Sequence, residues 1–173
     1  MRKPAERFVA PISHALSRFG IKPNVLTLFS FLCGLACVYF FLSDWTYFVI
    51  FAALHLLFDV LDGSVARFSG AVSKQGKWMD WWSDRTIAFL IIAKCGYKGL
   101  ITYAPILAGA AIALGILTNL WFAFSKKDVP VLCTRLVAVC LGILSFSNAI
   151  IPVAIGIYVW SLCWQVWYTL NNI

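Results

Sequence analysis

Four of the seven acidic residues, Asp59, Asp62, Asp80 and Asp84, are grouped, while the others stand apart at positions 6, 44 and 128. Asp59 and Asp62 lie three residues apart in LHLLFDVLDGSVARFSG, and Asp80 and Asp84 lie four apart in KWMDWWSDRT. At about 100° per residue, a helix sets the first pair about 60° apart and the second about 40° apart, so each pair shares a face. Carboxylates at membrane depth cost about 2.5–3.5 kcal/mol each on insertion scales, so four together need a compensating cation or a function. Three chemistries fit. The carboxylates could pair with Arg67, Lys77 or Arg85, form a cation or proton pathway, or bind a divalent metal. Oxygen ligands without a Cys/His set favour a hard cation, Mg²⁺ or Mn²⁺. Ion pairing accounts for Arg67 and Arg85 but not for Gly63 and Ala66, small residues that let a ligand approach the helix closely. A metal beside a gap beside an arginine describes a phosphate site.

The elements that must position these residues are membrane helices. The 173 residues are 62% hydrophobic and only 12% charged, with a mean hydropathy of +0.86, too apolar for a soluble fold of this size. A crossing takes about 20 residues, which leaves no room for a separate extramembrane domain. Six apolar stretches read as spans, over 24–43, 46–68, 78–97, 100–124, 130–147 and 148–170. Before them, Phe8, Ile12, Ala15, Leu16 and Phe19 recur at helical spacing opposite Arg7, His14 and Arg18, the pattern of an amphipathic helix lying on an anionic leaflet. The expected fold is therefore all-α and polytopic: one domain over 1–173, with an interfacial helix in 1–22 and a six-helix bundle in 24–170.

Lys and Arg cluster before the first span, between the second and third (Arg67, Lys74, Lys77), and between the fourth and fifth (Lys126, Lys127). Both termini and the acidic cluster are thus expected on the cytoplasmic side of an integral membrane protein. The N-terminus lacks the apolar core and cleavage site of a secretory signal. The six cysteines sit singly in apolar runs, without CxxC or zinc spacing, and read as packing residues.

Asp59-Val-Leu-Asp62-Gly63-Ser-Val-Ala66-Arg67, eight further residues, then Gly76-Lys-Trp-Met-Asp80-Trp-Trp-Ser-Asp84 resembles the signature of the CDP-alcohol phosphotransferase family, D-x2-D-G-x2-A-R-x8-G-x3-D-x3-D. Every fixed position is filled. The interfacial helix with six spans matches that family's architecture, and Lys22-Pro23-Asn24-Val25-Leu26-Thr27 is similar to its opening of the first span.

The resemblance implies a membrane enzyme of phospholipid biosynthesis. Such an enzyme transfers a phosphatidyl-type group from a CDP-activated alcohol, such as CDP-diacylglycerol, to a small hydroxyl acceptor and releases CMP. It implies that Asp59, Asp62, Asp80 and Asp84 hold Mg²⁺ or Mn²⁺, one or two ions with two preferred, and that Asp84 also acts as general base. It further implies donor-nucleotide contacts from Asn24, Thr27, Gly63, Ala66, Arg67, Ser73 and Gly76, and a homodimer. Nucleic acid is not an expected partner.

Lys126, Lys127 and Arg135 gather near the start of the fifth span, where a positive pocket would suit a phosphorylated acceptor, glycerol 3-phosphate or inositol phosphate. The first two are equally explained as cytoplasmic anchors. Asp84-Arg85 resembles the inositol-phosphate branch of the family, although the arginine-rich loop typical of that branch is absent. His55 reads as a hydrogen-bonded intramembrane histidine. The rival function is a cation or proton carrier, which calls for carboxylates spread through the membrane depth rather than gathered in one band.

Overall fold

The computed structural model describes residues 4–99, 101–125, 134–144 and 146–171, with side chains described from residue 11 onward and not for 122–125. The described residues are helical, joined by short turns: α1 (Pro4–Arg18), α2 (Pro23–Phe40), α3 (Trp45–Phe68), α4 (Lys74–Tyr97), α5 (Ala104–Ser125), α6 (Thr134–Ile143) and α7 (Ile150–Leu170), the last entered through a 3₁₀ turn at Ser147–Ala149. The chain divides into two compact units, 1–87 and 88–173, with α4 running from the first into the second.

In the first unit, each helix begins where the local chemistry directs it. Pro23 occupies the first turn of α2, where its missing N–H removes a donor that would otherwise be orphaned. Asp44 caps α3, its carboxylate accepting from the backbone N–H of Thr46 at 2.9 Å and of Tyr47 at 3.1 Å, a cap worth about 1 kcal/mol. α4 starts at Lys74, four residues before the expected span, because the Ser73 hydroxyl accepts from the Gly76 N–H at 3.0 Å. Between α3 and α4 the chain reverses through Gly70 at φ +66°, a left-handed conformation that costs other L-residues roughly 1–2 kcal/mol. This turn sets the two aspartate-bearing helices in succession.

α2 and α3 are held together in the membrane by a buried polar junction. His55, fully buried, has its Nδ1 2.8 Å from the Ser30 carbonyl, and the Ser30 hydroxyl donates to the His55 carbonyl at 2.9 Å. A carbonyl only accepts, so Nδ1 carries the hydrogen. His55 is thus the hydrogen-bonded intramembrane histidine expected from the sequence. Gly34 opens space for it: a Cβ there would meet Ile87 at 2.8 Å and His55 Cε1 at 3.2 Å. At the other end of α3, Leu26, Leu61 and Val65 form a small core against which Leu16 and Ile21 pack, and His14 meets the Phe68 ring edge-on at 5.6 Å. The apolar face read on α1 therefore divides, Leu16 turning to the protein while Ile12 and Phe19 stay exposed, as an interfacial helix requires.

In the second unit, small residues let helices approach closely. A Cβ at Gly96 would lie 2.6 Å from that of Ala108, and one at Gly115 would meet both Phe89 and Tyr158. Gly115 therefore packs within the chain, whereas Gly109, Ala110 and Ala113 face outward. The five described cysteines carry thiols rather than disulfides.

Four helical segments are long and apolar enough to cross a membrane: Pro23–Phe40, Trp45–Phe68, Ala104–Trp121 and Ser147–Leu170. This makes the chain an integral membrane protein of all-α class. Two of the six expected spans differ from that standard. α4 is 24 residues long but carries Lys77, Asp80, Asp84 and Arg85 in its first half. The described part of the fifth is the 10-residue α6, with residues 126–133 outside the described chain.

Candidate functional site

The acidic site is built on the facing ends of α3 and α4. Asp59, Asp80 and Asp84 are all half-buried, and each offers a carboxylate oxygen within 4.8 Å of the others'. The spacing of three between Asp59 and Asp62 turns Asp62 about 60° away from this trio. Asp62 is buried, 7% exposed, with the Thr27 hydroxyl and the Gly63 backbone N–H against its carboxylate and Asp80 and Asp59 as its nearest negative charges. Its Oδ2 is buried without a hydrogen-bond partner among the described residues. A buried carboxylate oxygen left unsatisfied is costly, and three oxygens converging beside it repel one another. A hard divalent cation relieves both conditions, since carboxylates are its preferred ligands. The donor set therefore fits Mg²⁺ or Mn²⁺, with Asp59, Asp80 and Asp84 around one position and Asp62 offering its free oxygen at the edge.

Beside the carboxylates lies a cavity of about 340 Å³. Asn24 and Thr27 of α2 form one wall, Asp62, Gly63, Ala66 and Arg67 of α3 another, and Ser73, Gly76 and Asp80 the third. All seven residues expected at the donor nucleotide thus line one cavity, although they come from three helices and, in Ser73, from the turn before α4. Its shape depends on the two glycines. A Cβ at Gly76 would sit 3.2 Å from the Ser73 hydroxyl and 3.3 Å from Asn24 Oδ1, and one at Gly63 would sit 3.4 Å from the Arg67 guanidinium. Arg67 therefore lies back along α3 over the bare Gly63 backbone, reaching Ser64 Oγ at 3.4 Å, and keeps its charge at the cavity wall. Thr27 also reaches the Pro23 carbonyl at 3.3 Å.

Pro23, Ala71, Val72 and Lys77 also line this cavity and were not among the expected contacts. Lys77 is the informative one: it stands three residues before Asp80, at a spacing that shares a helix face, and it brings a second cation to a cavity that already holds Arg67. Arg85 lies with its guanidinium carbon 4.7 Å from the centre of the Trp81 ring, a cation–π geometry.

Of the three residues expected at the acceptor, Lys126 and Lys127 lie outside the described residues. Arg135 is at the start of α6 in the second unit and is 5% exposed, a burial that anchoring at the membrane surface does not explain.

Membrane-crossing helices with clustered carboxylates beside a cavity edged by glycines, an arginine and a lysine mark an integral membrane protein with an acidic site at the head of two of its helices. The chain belongs to the CDP-alcohol phosphatidyltransferase family, whose model matches residues 21–171. Among curated proteins it is similar to archaetidylinositol phosphate synthase of Pyrococcus horikoshii, 35% identical over 104 residues, 60% of this chain and 53% of that protein. It is also similar to archaetidylinositol phosphate synthase of Aeropyrum pernix, 37% identical over 91 residues, 49% of this chain and 45% of that protein. A third similarity is to phosphatidylinositol phosphate synthase of Corynebacterium glutamicum, 33% identical over 86 residues, 49% of this chain and 39% of that protein. The chain spans about half the length of these relatives, or less.

Proposed function

We propose that this protein is a CDP-alcohol phosphatidyltransferase that joins a CDP-activated lipid to the hydroxyl of a small phosphorylated acceptor and releases CMP. The observation that carries the reading is the convergence of Asp59, Asp80 and Asp84 within 4.8 Å beside a cavity lined by the remaining signature residues. The names of the relatives favour inositol phosphate as acceptor over glycerol 3-phosphate.

In the proposed reaction the acceptor oxygen attacks the lipid-bearing phosphorus of the CDP-lipid. A new P–O bond forms, the P–O bond to the CMP phosphate breaks, and CMP leaves with the electron pair. Asp84 takes the acceptor's proton, a general-base contribution of about 10²–10⁴-fold. The four aspartates would hold one or two Mg²⁺ or Mn²⁺ ions, which neutralise the diphosphate and stabilise the leaving CMP. Gly63, Ala66 and Gly76 admit the nucleotide, and Asn24, Thr27 and Ser73 offer it hydrogen bonds. Arg67 and Lys77 pair with phosphate oxygens. Arg135, with Lys126 and Lys127, receives the acceptor phosphate.

The family resemblance supports one domain of six spans and a homodimer, and the distribution of Lys and Arg supports placing the site and both termini on the cytoplasmic side. The carrier reading is disfavoured by the carboxylates themselves: Asp44 is consumed as a helix cap, and the others described cluster between residues 59 and 84. The test is CMP release by the purified chain given CDP-lipid, Mn²⁺ and inositol phosphate. Wild type turns over, and Asp84→Asn falls by about 10³-fold. No CMP from wild type with any acceptor, or undiminished release from Asp84→Asn, overturns the proposal.

A further inference from the structure

Two pairs of side chains tie α2 to α3, one within the membrane and one at the acidic site. The inner pair is Ser30 and His55, where the imidazole Nδ1–H donates to the Ser30 carbonyl at 2.8 Å and the Ser30 hydroxyl donates to the His55 carbonyl at 2.9 Å. The outer pair is Thr27 and Asp62, which line one cavity with the hydroxyl against the carboxylate.

Helix geometry couples the two pairs. The partner number rises on α3 as it falls on α2, so the helices run antiparallel and both steps lead toward the acidic site. Thr27 precedes Ser30 by three residues, about 60° around α2 and about 4.5 Å along it. Asp62 follows His55 by seven, about 20° around α3 and about 10.5 Å along it. Helical side chains lean toward the N-terminus of their own helix, which carries Thr27 forward and Asp62 back and closes the difference of about 6 Å. The inner pair is reciprocal, each residue donating to the other's backbone carbonyl, and a slip of one residue, about 1.5 Å along and about 100° around the axis, breaks both bonds. The imidazole is also held against α2 at Gly34, where a Cβ would come within 3.2 Å of Cε1. Ser30 and His55 are both buried, so water does not replace a bond that is lost.

At the outer pair, the Thr27 hydroxyl has a single hydrogen to give. Its 3.3 Å bond to the Pro23 carbonyl is long for O–H···O, and a carboxylate is the stronger acceptor. The hydrogen therefore serves Asp62, and the hydroxyl's lone pairs remain for the nucleotide. With Thr27 and the Gly63 N–H on its carboxylate, Asp62 is fixed in orientation. Its Oδ2, buried and without a hydrogen-bond partner among the described residues, is the oxygen left for a cation.

We propose that Ser30 and His55 are positioning residues for Asp62: their reciprocal bonds set the register of α2 on α3 in which Thr27 donates to the Asp62 carboxylate and Oδ2 stays open to the divalent cation. This inference rests on the reading of the aspartates as a metal site and adds to it the intramembrane contact that keeps the site assembled. Groups that orient a ligating side chain change metal affinity about 10–100-fold when removed.

The test is Mn²⁺ binding to the purified chain in detergent without lipid donor, read from the electron paramagnetic resonance signal of the free ion, with CMP release from CDP-lipid and inositol phosphate measured alongside. His55→Leu raises the Mn²⁺ Kd about tenfold, and His55→Asn, whose amide can still donate to the Ser30 carbonyl, brings it back to within about threefold of wild type. Ser30→Ala keeps that carbonyl and raises the Kd about threefold. Asp44→Ala removes the cap at the far end of α3; it lowers stability but leaves the Kd within about twofold of wild type. A Kd for His55→Leu within about twofold of wild type, an equal rise in Asp44→Ala, or His55→Asn binding no better than His55→Leu overturns the positioning role. Where His55→Leu yields no folded protein, Ser30→Ala is set against Asp44→Ala, and equal Kd values overturn the role. Mn²⁺ bound by wild type without CMP release overturns the transferase reading instead, and the order of the variants' Kd values still decides this one. No Mn²⁺ bound by wild type overturns the positioning role outright.

Discussion

Gly76→Ala separates the donor site from the stability of the helix that carries it. Gly76 lies in the first turn of α4, and replacing a helical glycine by alanine normally stabilises by about 0.5–1 kcal/mol. Here the added methyl would stand 3.2 Å from Ser73 Oγ and 3.3 Å from Asn24 Oδ1, so both must yield by a few tenths of an ångström. Ser73 is also the cap that accepts from the Gly76 N–H at 3.0 Å, and disturbing a cap costs about 1 kcal/mol. The two effects offset, and the net change in stability is within about 1 kcal/mol of zero. The donor fares differently. The methyl covers two oxygens that the polar cavity now presents, and at about 1 kcal/mol per lost hydrogen bond the donor KM rises about 30-fold. The assay is steady-state CMP release at varied CDP-lipid and saturating inositol phosphate, paired with thermal unfolding in the same detergent. An unchanged donor KM would show that the nucleotide does not enter between Asn24 and Ser73. A marked loss of thermal stability alongside lost activity would assign Gly76 to folding and refute the reasoning.

Arg135→Ala raises the KM for inositol phosphate about 10- to 150-fold, from the roughly 1.5–3 kcal/mol worth of a charged hydrogen bond, while the donor KM stays within about twofold; equal losses for donor and acceptor place Arg135 outside the acceptor pocket. His55→Leu leaves the Ser30 hydroxyl and carbonyl without the imidazole between α2 and α3, a loss of about 1–3 kcal/mol. It lowers the unfolding temperature in detergent, and His55→Asn recovers part of the loss if hydrogen bonding rather than bulk is responsible; no change in unfolding temperature for His55→Leu refutes the junction.

Short-range order explains why so much of the site is legible in the sequence. Asp59 with Asp62, Asp80 with Asp84, and Gly63 with Ala66 and Arg67 are separated by three or four residues on continuous helices, where the 100° rotation alone says which side chains are neighbours. Helical hydrogen bonding is obligatory in the bilayer, so apolar runs of membrane length have few alternatives. Two features depend on how helices pack, which periodicity does not carry. Asp59 rather than Asp62 completes the close trio with Asp80 and Asp84, because Asp62 turns toward Thr27 of α2. The approach of Asn24 to Gly76 joins two helices with α3 between them in sequence, and only resemblance to a family pointed to it. The start of α4 is a third case: Ser73 looks like a loop residue, and its role as a cap moves the helix origin back to Lys74.

The placement of α4 also shows how one short motif can set a polar row beside an apolar one. Because Gly76, Asp80 and Asp84 recur at intervals of four, the residues immediately before them recur at the same interval, and a row of polar chemistry necessarily has a parallel row on its flank. In this chain that flanking row is Gln75, Met79 and Ser83, with Trp78 and Trp82 beyond it, while the polar row faces Asp62 and Arg67. A helix at a membrane interface can thereby present a polar, carboxylate-bearing row and an apolar row about 100° apart. No soluble domain is needed to bring the two together, since the helix rotation already holds them at a constant angle. The registration is strict: shifting the aspartates by one residue relative to the tryptophans would turn the carboxylates toward lipid, at about 2.5–3.5 kcal/mol each.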